Sequence, residues 1–178
     1  MKKLLYILPL TTAFLLACGG GTESTEETQD SSATEENIEA AQGAATDLSD
    51  FGMPYSIVIP DAGSAEITEN DWGGIEIING EGFMITLSFG EGNLELLKSD
   101  LEGDAVYTST ILEEGENYIV YKREIPDAGV TPEVHFMYVA SFGEDVIEIQ
   151  NMKDVTYGED AIKNMLASAK SFASAGGA

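Results

Sequence analysis

Phe83, Ile85, Leu87 and Phe89 alternate without a break with Met84, Thr86 and Ser88. A period of two marks a strand that buries one face and turns the other toward polar surroundings. Such a strand must pair along its edges, so the rest of the chain is constrained to supply partners. It does so in short apolar runs separated by turn residues. Residues 56–59 read as a strand that stops at Pro60-Asp61-Ala62-Gly63, and 65–68 as a shorter, weaker one. Residues 75–78 form another, closed by Asn79-Gly80, a dipeptide favoured in tight hairpins. Two more pairs follow, 106–112 with 118–125 and 134–142 with 146–150, each joined by a Gly- and Glu-containing turn.

Helical spacing interrupts this pattern twice. Asn93 stands where a helix cap is needed, and Leu94, Leu97 and Leu101 share one face of a helix over 93–101. Near the end, Ile162, Met165, Leu166 and Ala169 make the stripe of a second helix over 158–172, with Thr156 and Glu159 at capping-box spacing. Hairpins imply antiparallel pairing, and helices with one apolar stripe pack on a sheet. The fold class expected is therefore α+β: a mostly antiparallel sheet of about six to seven strands with two packed helices.

The first fifty residues have a different character. Lys2 and Lys3 precede an apolar stretch from Leu4 to Leu16, which ends in a small residue, Ala17, and then Cys18. That is the order of a secretory signal. The stretch falls short of the roughly 20 residues that span a bilayer core of about 30 Å. Cys18 is the chain's one cysteine. It has no internal disulfide partner, so its position at the end of a signal calls for another explanation. From Gly19 to Asp50 the chain is rich in Thr, Ser, Ala and Glu, with no Lys, Arg or aromatic residue. Such a composition cannot bury enough apolar surface to offset the entropy of ordering. The expected organisation is a signal peptide over 1–17, a disordered acidic tether over 18–50, one folded domain over 51–173 and a frayed tail over 174–178.

Leu15-Leu16-Ala17-Cys18 resembles the lipobox of bacterial lipoproteins. The resemblance implies that Cys18 carries a diacylglyceryl thioether, that cleavage occurs before it, and that acylation of the new terminus adds a further chain such as palmitate. Two or three chains give lasting attachment, each buried methylene contributing ~0.8 kcal/mol. Gly19 after the cysteine resembles the outer-membrane pattern of enteric lipoproteins, and the acidic stretch behind it resembles the surface-export signal of Bacteroidetes lipoproteins. The domain itself is similar to the PsbP-like superfamily in its opening "YSIVIPDAG", its mid-chain "NLELLKSDLEG", its paired hairpins and its closing "AIKNMLASAKSF". That similarity implies an α/β/α sandwich and favours an accessory or binding role over catalysis.

Charge narrows the partners. The chain carries −24, and loses two more positive charges with Lys2 and Lys3. No Lys or Arg occurs between Leu4 and Leu97. Nucleic acid requires a basic patch, and direct docking on anionic lipid needs one too. Membrane contact is thus expected through the lipid anchor, with a protein or a small apolar ligand as partner.

Catalytic constellations are sparse. His135 is the single histidine, and on strand 134–142 it shares a face with Met137, Val139 and Ser141. A structural role is the expectation. The chain has no nucleophile elbow, P-loop or metalloprotease helix motif. One histidine and one lipid-bearing cysteine leave no zinc set. Neither a metal nor a cofactor is expected, and no catalytic residue is assigned. The alternative is a hydrolase acting on envelope material through two of the many carboxylates. Three smaller features stand out. Asn70-Asp71-Trp72-Gly73-Gly74 is an oxygen-rich loop suited to a weak cation, more simply a turn with Trp72 tucked onto the core. Lys122-Arg123 is the one adjacent basic pair after the signal, expected on an edge strand. Ile-Pro-Asp-Ala-Gly occurs at 59–63 and again at 125–129 as a recurring turn.

Overall fold

The computed structural model describes residues 41–175. In chain order the strands are β1 (Ala44–Asp47), β2 (Tyr55–Ile59), β3 (Glu66–Glu69), β4 (Ile75–Ile78) and β5 (Met84–Phe89). Then come β6 (Thr108–Gly115), β7 (Tyr118–Glu124), β8 (Glu133–Phe142), β9 (Asp145–Asn151) and β10 (Ala173–Ser174). Helix α1 (Leu94–Gly103) joins β5 to β6, and α2 (Glu159–Lys170) follows β9. Seven strands form the main sheet in the order β3-β4-β5-β9-β8-β7-β6, and three form a small one, β1-β2-β10. Every pairing is antiparallel. The architecture is α+β with a predominantly sheet core.

Alternation along the strands separates two apolar layers. Ile77, Ile85, Phe136, Ile147 and Ile149 point to one face, where they meet Ile57 and Ile59 of β2 and Ile162, Met165 and Ala169 of α2. The residues between them point the other way. There Ile119 and Tyr121 of β7 receive Leu94, Leu97 and Leu101 of α1. One helix therefore lies on each face of the sheet. Phe83, Ile85 and Leu87 are buried as the alternation predicts, whereas Phe89 at its end is 51% exposed; both helical stripes pack on the sheet, and the Asn93 side chain accepts the Leu96 N–H at 2.9 Å.

Several expectations need correction. Ala44–Asp47, within the stretch expected to be a disordered tether, pairs with β2 from Ala44↔Ile59 to Asp47↔Ser56. Leu48 behind it is fully buried. The ordered part thus begins before residue 51. At the other end, Ser174 pairs with Tyr55 rather than fraying. Thr156 does not cap α2, whose N-cap is Gly158 with no side-chain bond. Asn79-Gly80 opens a longer loop, closed by the Asn79 N–H to the Phe83 carbonyl at 2.7 Å. The leader over 1–17, Cys18 and the tether up to residue 40 lie outside the described residues. Among the described residues, no helix is long and apolar enough to cross a membrane.

Candidate functional site

His135 is the third residue of β8, opposite Tyr121 of β7. Its side chain is 1% exposed. The Asn151 Nδ2 lies 3.0 Å from the His135 Nδ1, and the Asn151 Oδ1 accepts the Phe136 N–H at 2.9 Å. Asn151 can accept from Phe136 only with its oxygen there, so its amide NH2 faces the ring and Nδ1 must accept. The proton then sits on Nε2, directed at the Glu133 Oε2 at 3.4 Å. Burial lowers the His135 pKa, against the opposing pull of Glu133. The ring is thus neutral and almost fully buried, with both nitrogens engaged. Asn151 does a second job, because β9 ends there and its amide replaces the strand partner of Phe136.

Lys122 and Arg123 are not on an edge: β7 runs between β6 and β8. Their side chains leave on opposite faces. The Arg123 guanidinium holds the Asp104 carboxylate at 2.8 Å and lies 3.9 Å over the Tyr107 ring. Lys122 pairs with Glu124 at 3.0 Å. Each base is engaged within its own neighbourhood, and the two form no joint anion site.

Trp72 also departs from expectation. It is 93% exposed, standing out from the β3–β4 turn instead of packing on the core. The turn itself is well fixed. The Asn70 Oδ1 accepts the N–H groups of Trp72 at 3.1 Å and Gly74 at 2.9 Å, and Gly74 is pressed against the Leu87 carbonyl where no side chain fits. Among the described residues, no group of three or more His, Cys, Asp or Glu is arranged to hold a metal.

The two Ile-Pro-Asp-Ala-Gly segments share one backbone feature. Asp61 has φ 43° and Asp127 φ 58°, and they are the two non-glycine residues with positive φ among those described. Aspartate is one of the few side chains that tolerate this left-handed region. The motif recurs because proline followed by a left-handed aspartate turns the chain sharply, with the aspartate rather than the glycine as its common pivot.

A concavity among the described residues is marked by no sequence motif. β8 is longer than β7, and the β7–β8 ladder stops at Tyr118↔Tyr138. A single further bond, from the Val139 N–H to the Asn117 carbonyl at 2.8 Å, follows. Past it, among the described residues, 140–142 are paired on the β9 side alone. An open cleft of about 600 Å³ lies along this edge. The β6–β7 turn at Glu116 and Asn117 closes one end, Gly92 and Leu94 at the start of α1 form one wall, and Phe142 and Phe172 form the other. Phe142 stacks on Tyr55 with centroids 4.8 Å apart, and the Tyr55 hydroxyl donates to the Asp145 carboxylate at 2.6 Å. The wall is therefore rigid. The wall at Gly92 is equally fixed, with its N–H on the Glu148 Oε1 at 2.8 Å. The sequence carries no signal for this site, because the register of β7 against β8 sets where the edge opens. Compared with family models, curated proteins and solved structures, the chain matches none.

Proposed function

We propose that the protein is a non-catalytic binding or accessory module, held at the bacterial cell envelope by lipid on Cys18. One observation carries the non-catalytic half. The chain's one imidazole is sealed inside the sheet with both nitrogens engaged by Asn151 and Glu133. It is thus withdrawn from the nucleophile or proton-transfer roles that histidine most often fills. The cleft beside β8 presents main chain, aromatic rings and aliphatic side chains, which are the components of a binding surface.

The envelope half rests on Lys2-Lys3, the apolar run and Leu15-Leu16-Ala17-Cys18. The reading places the protein at the outer membrane, in contact with lipid through its anchor. Its net charge of −24 disfavours nucleic acid and anionic lipid surfaces as direct partners. The PsbP-like resemblance adds weight to an accessory role.

Cells fed labelled palmitate should mark the wild-type protein and leave Cys18→Ser unlabelled. Equal labelling of the two would overturn the anchor. Turnover of envelope material by the purified protein, abolished by a single Glu→Gln change that preserves the fold, would replace the module with a carboxylate hydrolase.

A further inference from the structure

We infer that the open edge of β8 at residues 140–142 accepts a short, extended, cationic peptide segment as an added strand. This rests on the binding-module reading and gives it a ligand class. In an antiparallel pair, alternate residues direct both main-chain groups to the same side. The Val139 N–H points toward β7, since it reaches the Asn117 carbonyl. Ser141, two residues on, therefore aims its N–H and C=O the same way, into the cleft, where β7 no longer runs. These are the groups by which an extended peptide is captured at a sheet edge.

The other edges of the main sheet are defended against such pairing. β3 carries Glu66 and Glu69 at its ends and is only four residues long. β6 is broken by a bulge between Ile111 and Glu113 and carries two adjacent glutamates. Bulges, charges and short length are the usual protections of an edge. The Val139-Ala140-Ser141-Phe142 stretch has no charge, no proline and no register shift. The edge is left pairable where the cleft runs alongside it.

Charge selects the peptide. Glu116 lines the cleft, exposed Glu144 and Asp145 form the turn that ends the edge, and exposed Glu91 adjoins its wall. The molecule as a whole carries −24. A second copy of the chain would bring the same charge to the same edge, and the turn at Glu116 would obstruct a full sheet. A segment bearing Lys or Arg between small apolar residues satisfies both conditions.

The test uses the full-length chain and the capped peptide acetyl-Lys-Val-Lys-Val-Lys-amide. Two controls accompany it: the Glu counterpart, and the same cationic peptide with N-methyl groups at alternate residues, made in both phases. On saturation, exchange of the Ser141 amide should slow at least tenfold. The Glu peptide, and whichever N-methylated form masks the pairing amides, should bind at least tenfold more weakly. Glu116→Lys should weaken the cationic peptide severalfold, and Ser141→Pro should abolish its binding. If Ser141→Pro fails to fold, the N-methylated pair decides alone. Unchanged Ser141 exchange, or equal binding of both N-methylated forms, overturns strand addition. Equal binding of the Glu peptide overturns the charge assignment. Concentration-dependent dimers that protect Ser141 without peptide would assign the edge to a second copy. The binding-module reading fails separately, by turnover of envelope material, so loss of the peptide result without turnover leaves it intact.

Discussion

His135 sits among Tyr121, Glu133 and Asn151 with its ring neutral, and this makes stability depend on pH in a stated direction. Burial lowers its pKa below the ordinary 6.5, Lys153 and Arg123 add to the lowering, and Glu133 opposes it. Above pH 6.5 the ring is neutral in both folded and unfolded chains, so its contribution is fully present. Below that the unfolded chain takes up a proton that the folded one resists, and stability falls until the folded pKa is passed. Urea midpoints measured from pH 8 to pH 5 should fall below 6.5, with a smaller slope in His135→Gln. A flat wild-type profile would contradict the buried neutral ring. A second position is equally specific. Gly92 has φ +64°, and a Cβ there would lie 2.6 Å from Val139 Cγ1 and 2.7 Å from Val146 Cγ1. Gly92→Ala should cost about 1–3 kcal/mol in chemical denaturation, through backbone strain and the clash together.

At the scale of elements, the caps give a paired comparison. Asn93→Ala removes a side chain that accepts the Leu96 N–H and should cost ~1 kcal/mol. Thr156→Ala should stay within ~0.5 kcal/mol, because α2 starts from Gly158 without a side-chain cap. Thermal or urea unfolding of the two variants separates these outcomes. The same contrast shows what was legible beforehand. Leu94, Leu97 and Leu101 repeat at helical spacing, and Ile85 and Leu87 at strand spacing, so α1 and β5 could be read from local pattern. β1 and β10 could not. Ala44-Ala45-Thr46-Asp47 has no apolar alternation, and Ala173-Ser174 is two residues long. Both exist because β2 offers an edge on either side, a tertiary fact that no window of sequence contains. The cleft was hidden for a related reason. It arises from where β7 stops beside β8, and register is a property of pairs of strands. The place of His135 on a sheet strand was legible, while its partner Asn151 was not, since they are joined across β8 and β9.

For the whole molecule the dominant property is the excess of 32 acidic over eight basic side chains. The few bases act as ties between elements. Lys98 links α1 to Glu114 of β6, and Lys170 of α2 lies 3.7 Å over the Tyr118 ring of β7. Self-repulsion of this charge works against the compact state and is screened by salt more strongly than these close contacts. Raising NaCl from low concentration to about 0.5 M should therefore increase the midpoint of thermal unfolding by roughly a few degrees. A decrease would mean that ion pairs outweigh repulsion. Trp72 has a consequence for any optical study of the protein. The chain has one tryptophan, and it is 93% exposed on a fixed turn. Its emission in the native state should already be that of an indole in water, and should shift little as the sheet melts in urea, while circular dichroism records the full transition. Tryptophan emission will therefore be silent about folding and will respond to whatever comes to rest against the β3–β4 turn.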